Sequence, residues 1–137
     1  MSQNKIFSYR DLDVWQRSRR LVKLIYQATE LFPKSQQFSL CQQMQRAAVS
    51  IPSNIAEGQV KRATRDYIRH LNIALGSSAE LDTQILLSLD LGYIDTTKSE
   101  TLTEECAIIG RMLNKLVASL TLKLSPKPEA RSLEPAL

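Results

Sequence analysis

The sequence contains few of the residues that interrupt helices. It has four glycines and five prolines among 137 residues, and three of those prolines, Pro126, Pro128 and Pro135, lie near the C-terminus. Strands and tight turns are usually marked by glycine and proline. Their scarcity in the rest of the chain predicts a body built from long helices.

Cysteine and long apolar runs are equally scarce. Cys41 and Cys106 lie far apart, each at an apolar helical position, and no CxxC motif or histidine cluster accompanies them. Buried free thiols are therefore predicted rather than a disulfide or a metal site. No apolar run approaches the roughly 20 residues that a membrane-spanning helix needs, and the N-terminal segment MSQNKIFSYRDL has no apolar signal region. These absences predict a cytoplasmic protein without a membrane partner.

The residue patterns of common enzymes are also missing. No nucleophile–base pair, phosphate-binding loop or metal-ligand spacing is present in the sequence. His70 is the only histidine, and its neighbours Arg69 and Asn72 predict an exposed or capping position. The sequence therefore predicts a non-enzyme, with no catalytic residue, cofactor or metal.

Apolar residues at helical spacing predict four helices. The expected limits are residues 11–31, Ser35 or Ser39 to Gly58, Thr64 to Gly92, and Asp95 to about residue 121. Short links between long helices predict an all-α, antiparallel up-down-up-down four-helix bundle over residues 1–121. Residues 122–137 hold three prolines and no helical period, which predicts a flexible C-terminal tail.

The second helix contains a proline within its apolar repeat, in the segment RAAVSIPSNIAEG (residues 46–58). A proline inside a helix removes one hydrogen bond and clashes with the preceding turn, at a cost of about 3 kcal/mol. Because the apolar stripe keeps its phase across Pro52, the helix is predicted to continue through it with a bend. Ser50 and Ser53 are expected to help satisfy the freed carbonyls.

A hairpin turn near residues 60 and 61 fixes which positions of the second and third helices face each other. It predicts that Met44 faces Ser77 or Ser78. It also brings Arg46 within about one helical turn of Glu80. An Arg46–Glu80 ion pair and two separately solvated charges remain alternatives at this point.

Charge is divided unevenly along the chain. Residues 1–75 contain 12 Lys+Arg and 5 Asp+Glu, whereas residues 76–121 contain 3 and 7. Such a division predicts a polyanion partner or association between opposite faces. The candidate nucleic-acid-binding residues lie on the first helix and around the start of the third: Arg17, Arg20, Lys61, Arg62, Arg65 and Arg69.

An alternative interpretation treats these cations as parts of solvated faces with local ion pairs, Asp13–Arg17 and Arg62–Asp66. The aromatic residues favour neither interpretation. Trp15 and Tyr67 fall on core phases of their helices, so stacking that reads the sequence of a single strand is not predicted.

Four ordered motifs resemble a known family. RAAVSIPSNIAEG is followed by LNIALGSSAELDTQI, LGYID and IIGRMLNKL. Together they resemble the bacterial four-helix bundle proteins encoded in 23S ribosomal RNA intervening sequences, over roughly residues 7–121. Residues 96–101 (TTKSET) are less acidic than expected for that family.

The resemblance implies a four-helix bundle that assembles as a homopentamer. A distant relative is the accessory protein of diversity-generating retroelements, which works with a reverse transcriptase and nucleic acid. The implied partners are therefore further copies of the chain, RNA or another nucleic acid, and a reverse transcriptase or other protein. No catalytic residue is carried over.

One feature of the sequence itself also predicts oligomerisation. The first helix is apolar beyond a single stripe, with Leu21, Leu24 and Leu31 beside the stripe of Trp15. Two function classes follow: a homopentameric RNA-binding accessory protein and an oligomeric protein–protein interaction scaffold without nucleic-acid binding.

Overall fold

The computed structural model describes residues 8–124, which contain four α-helices and no strand. The helices are α1 (Asp13–Thr29), α2 (Leu40–Lys61), α3 (Thr64–Asp90) and α4 (Thr96–Leu122). Short 3-10 helices at Tyr9–Asp11 and Lys34–Gln36 precede α1 and α2. The predicted all-α class with four helices is confirmed. Most of the predicted tail, from residue 125 onward, lies outside the described residues.

The helix starts follow local capping chemistry. Ser8 and Asp11 form a capping box around the first 3-10 helix, and Leu12 is extended, so α1 begins two residues later than predicted. Asp95, the predicted start of the fourth helix, is the N-cap of α4, and its carboxylate accepts a hydrogen bond from the backbone N–H of Lys98 at 2.8 Å. Thr64 is the first residue of α3, as predicted.

α2 continues through Pro52, as predicted, but its end differs from the prediction. The helix passes Gly58 and ends at Lys61, where Arg62 adopts a left-handed backbone with φ 64°. Gly58 is buried inside the helix, and a Cβ there would lie 2.8 Å from the Cβ of His70. Gly58 therefore allows α3 to pack closely against α2, and it does not end the helix.

Each helix packs against its neighbours in sequence, and α1 also packs against α4. Within residues 8–124, the backbone of α1 does not adjoin α3 and that of α2 does not adjoin α4, and the four helices surround one shared core. The largest fully buried apolar side chains are Leu21, Ile25, Met44, Ile51, Ile55, Leu71, Leu81, Ile85, Leu102, Ile109 and Leu113. Burying such a side chain contributes about 1.5–3 kcal/mol.

Three side-chain hydrogen bonds cross between α2 and α3: Asn54 with His70 at 2.9 Å, Ser50 with Ser77 at 2.7 Å, and Ser88 with Met44 at 3.4 Å. Earlier residues of α2 thus meet later residues of α3. The predicted pairing of Met44 with Ser77 or Ser78 was wrong, because α2 extends beyond the expected turn.

One further expectation for the α2–α3 pair fails, and one open alternative is decided in favour of separately solvated charges. The hydroxyl of Ser50 pairs with Ser77 across the interface rather than with a carbonyl of its own helix. Among the ion pairs within residues 8–124, none joins Arg46 to Glu80.

Candidate nucleic-acid interface

Arg17 is engaged in a contact between α1 and α4. Its Nε and Nη2 donate to Oε1 and Oε2 of Glu105 at 3.0 and 3.1 Å. These hydrogen bonds, aided by the carboxylate charge, raise the pKa of the Arg17 guanidinium. Within the described residues, the predicted local pair with Asp13 is not formed. Because its charge already faces a carboxylate, Arg17 is less available to phosphate than the sequence predicted.

Arg20 lies one turn further along α1 and is exposed. It lines a surface depression together with Arg17, Lys23, Leu24, Gln27 and Glu105. The structure therefore brings Arg17 and Arg20 together, as their spacing predicted, in a groove that also contains one carboxylate.

The connection between α2 and α3 carries three exposed cations, Lys61, Arg62 and Arg65. Only Arg62 and Ala63 separate the two helices. Among the ion pairs that the structure describes, none involves these three side chains, and the predicted Arg62–Asp66 pair is absent. Their charges are therefore available to an external anion.

Arg69 lies one turn after Arg65 on the same face of α3. The two arginines line a shallow depression whose floor includes Ile68, Ile73 and Leu124. The Nη2 of Arg69 also lies 3.3 Å from Nε2 of His70. Arg69 is thus anchored at one side of its guanidinium while its side chain remains exposed.

The candidate cations form two groups. The α1 cluster consists of Arg17 and Arg20, and the α3 cluster consists of Lys61, Arg62, Arg65 and Arg69. Within residues 8–124, the backbones of α1 and α3 do not adjoin, and the depression lined by Arg17 and Arg20 shares no residue with the one lined by Arg65 and Arg69. A ligand of one protomer would therefore contact them as two separate surfaces.

His70 was predicted to be exposed or capping, and this was wrong. Its side chain is 4% exposed and lies between α2 and α3. The amide nitrogen of Asn54 donates to the carbonyl and hydroxyl oxygens of Ser50 at 2.9 and 3.1 Å, which leaves its oxygen to accept from Nδ1 of His70. Because Arg69 can only donate to Nε2, the contacts fit an imidazole with its proton on Nδ1.

Trp15 also departs from its expected place. It packs against the core but is only half-buried, whereas its spacing predicted a core residue. The ring of Tyr9 lies edge-on at 5.3 Å, and the guanidinium of Arg19 lies 5.5 Å from the indole centroid. The i,i+4 spacing of Trp15 and Arg19 was the available signal. Tyr67 is half-buried against the core, and this burial raises its pKa.

The remaining reactive groups include the cysteines and the acidic side chains. Cys41 and Cys106 are buried free thiols, as predicted, and burial raises the pKa of Cys106 to about 12. Over residues 8–124, no group of three His, Cys, Asp or Glu side chains lies close enough to hold a metal ion. No helix in that range is long and apolar enough to cross a membrane.

Fold and surface define an all-α protein of four helices with exposed cations on two of its surfaces. The sequence profile of the 23S rRNA-intervening sequence protein family matches residues 10–115. The chain belongs to this family, as its motifs indicated.

The fold has a relative among solved structures. A protein with unknown function from the S23 ribosomal protein family of Bacteroides thetaiotaomicron superposes with a TM-score of 0.70 at 24% identity. The alignment covers 77% of this chain and 95% of that one. Among curated proteins, no match to the chain was found.

Proposed function

We propose that the protein is a non-catalytic, homopentameric accessory protein that binds RNA in the cytoplasm. The observation that carries the proposal is the set of three exposed cations at the α2–α3 connection, Lys61, Arg62 and Arg65, without an ion-pair partner in residues 8–124. When exposed cations bind phosphates, they displace the counterions that surround the RNA. The release of these counterions drives binding that does not depend on sequence.

The proposal includes the finer geometry of the bundle. The helices run antiparallel, and α2 bends at Pro52. The order of the contacts between α2 and α3 supports the first point. The missing N–H of proline supports the second, because a kink commonly accompanies an interrupted hydrogen-bond ladder.

A pentamer would repeat each basic cluster five times around a ring, so weak phosphate contacts would add through avidity. Exposed apolar side chains support assembly: Leu86, Leu87 and Leu91 on and after α3 are 46%, 46% and 58% exposed. Leu31 is also exposed, whereas Leu21 is buried in the core. Light scattering is expected to give five times the chain mass of 15.5 kDa. A monomer at micromolar protein concentration would refute the assembly.

RNA binding is tested by a salt titration with a structured RNA. Replacing Arg62, Arg65 and Arg69 by Gln should weaken binding and reduce the salt slope by about 2–3 for each protomer that contacts the RNA, since each lost phosphate contact removes about 0.7–0.9. The matched control replaces the same number of exposed cations on α4: Lys98, Arg111 and Lys115. No binding of the wild type at low salt would refute RNA binding, and an unchanged slope in the triple variant would exclude the α3 cluster as its site.

The alternative function is an oligomeric scaffold that binds a protein, such as a reverse transcriptase, and no nucleic acid. The α1–α2 connection supports it, because Leu31 and Phe38 are 82% and 81% exposed. Exposed large apolar side chains mark protein contacts when they are clustered. Co-purification of a protein partner with no RNA shift would favour this alternative.

A further inference from the structure

A basic surface separate from the α3 cluster lies beside Trp15, on the N-terminal part of α1. It is a surface depression of about 430 Å³ lined by Arg10, Trp15, Gln16, Arg19, Arg20 and Lys23. Four of the six lining residues are cations, and none is acidic. We call this depression the Trp15 pocket. Its volume lies within the range of about 300–1,000 Å³ that is typical of small-ligand sites.

The cations of the Trp15 pocket have no ion-pair partner among the residues that the structure describes. Within residues 8–124, no ion pair involves Arg10, Arg19, Arg20 or Lys23. The neighbouring Arg17 shows the contrast, because it faces Glu105. Four unpaired cations around one concave surface create a positive potential that attracts phosphate.

The wall of the pocket is held in place by hydrogen bonds. The side-chain amide of Gln16 donates to the carbonyl oxygen of Arg10 at 2.8 Å, which fixes the 3-10 segment against α1. The capping box of Ser8 and Asp11 closes the same segment. Arg10 is therefore presented from ordered backbone, and less freedom is lost when it binds a ligand.

The floor combines an aromatic ring with a guanidinium plane. Arg19 lies over the indole of Trp15 at 5.5 Å, within the range of a cation–π contact. The ring of Tyr9 packs against the indole in a T-shaped arrangement, with the ring centroids 5.3 Å apart. Unpaired nucleobases stack on aromatic rings and on arginine planes. A phosphate group would contact only the cations, whereas a nucleobase would also contact the Trp15 ring and the Arg19 guanidinium.

We propose that the Trp15 pocket binds one unpaired nucleotide of a single-stranded RNA. The base stacks on the Trp15–Arg19 pair, and Arg10, Arg20 and Lys23 bind the flanking phosphates. The inference deepens the proposed RNA binding, on which it rests, but assigns it a site apart from the α3 cluster. It also replaces the expectation that the aromatic residues serve only the core.

The sequence provides a direct reporter, since Trp15 is the only tryptophan. The experiment titrates the full chain at low salt with an oligouridine of about ten nucleotides, a length within the site sizes of single-strand binders. A second titration uses an oligomer of equal length and charge without bases. Oligouridine should change the Trp15 emission and bind at least about fivefold more tightly, which is the lower end for stacking one base.

A pair of charge-matched variants locates the site. Replacing Arg19 and Lys23 together by Gln should weaken oligouridine binding and remove most of the preference for bases. Replacing Lys98 and Lys115 by Gln removes the same charge from exposed positions of α4 and should leave that preference intact. Far-UV circular dichroism and thermal unfolding confirm that each variant is folded.

The outcomes separate the two proposals. If the wild type binds structured RNA but oligouridine leaves Trp15 emission unchanged, the pocket proposal fails and the α3 cluster remains. Equal affinity for the oligomer without bases also refutes it, because the pocket would then hold phosphate only. If no RNA of either kind binds at low salt, the proposed function fails together with the pocket.

Discussion

Gly58 offers a sharp test of how α2 and α3 pack. An alanine at an ordinary helix-interior glycine stabilises the helix by about 1 kcal/mol. At Gly58 the added Cβ would lie 2.8 Å from the Cβ of His70, 3.0 Å from Cδ1 of Tyr67 and 3.3 Å from Cα of Tyr67. Carbon atoms prefer about 3.5–4.0 Å. Two of these atoms sit on or next to the backbone, so relief requires α3 to move.

The magnitude follows from two opposing effects. Overpacking a close helix contact costs about 1–3 kcal/mol, and the helix-propensity gain offsets about 1 kcal/mol of this cost. Gly58→Ala should therefore lower the free energy of unfolding by about 0–2 kcal/mol. Urea unfolding followed by circular dichroism measures it, at one fixed protein concentration because an oligomer gains stability with concentration.

A matched control makes the test decisive. Gly76 lies inside α3 and Gly110 inside α4, and a Cβ at either position meets nothing within 4 Å. Gly76→Ala should therefore show the propensity gain without the clash. We expect Gly58→Ala to be less stable than Gly76→Ala by about 1–3 kcal/mol. If the two variants are equally stabilised, the close approach of α2 and α3 at Gly58 is refuted.

Pro52→Ala should change the free energy of unfolding by less than the usual proline cost of about 3 kcal/mol, because its surroundings accommodate the ring; a larger gain in urea unfolding would contradict this. A double-mutant cycle on Arg17 and Glu105 should give a favourable coupling free energy of up to about 1 kcal/mol, which falls as salt is added. A coupling of zero would show that the ion pair does not contribute to stability. Burial raises the pKa of Cys106 to about 12, so its thiol stays protonated at mildly alkaline pH. Alkylation followed by mass spectrometry should modify it only after unfolding, and rapid labelling of the native protein would be the contrary result.

The core was predictable because burial imposes a helical period on apolar residues. The stripe containing Ile51 and Ile55 kept its phase across Pro52, and both side chains are fully buried in one continuous helix. The end of α2 was not predictable in the same way. Gly58 has the residue type of a helix terminus, and only the position of α3 shows that it is a packing contact.

His70 shows why the polar part of the interface was missed. It precedes the buried residues Ala74, Ser77 and Leu81 at helical spacings of four, three and four. The signal was therefore present, but a search for apolar periodicity passes over a histidine. α3 packs against both α2 and α4, so it has more than one buried stripe. The stripe that contains His70 lies beside the predicted stripe of Tyr67 and Leu71.

The candidate cations were predictable by type and position along the helices, but their partners were not. Helical spacing placed Arg17 and Arg20 on one face correctly. It also suggested Asp13 as the partner of Arg17, whereas the structure supplies Glu105 from a helix 88 residues away in sequence. Local spacing identifies neighbours within a helix, and tertiary packing decides which of several carboxylates a long side chain reaches.

The contact between α2 and α3 links this packing to the proposed RNA binding. Pro52 and Gly58 each weaken an isolated helix, by about 3 and 1 kcal/mol. Both lie on the stretch of α2 where Asn54 and Ser50 meet the polar side chains of α3. The close glycine contact and these directional hydrogen bonds fix how α3 lies on α2, and only two residues separate the helices. The α3 cluster is therefore presented from a short, well-specified connection, so the proposed RNA binding would require little ordering of the backbone.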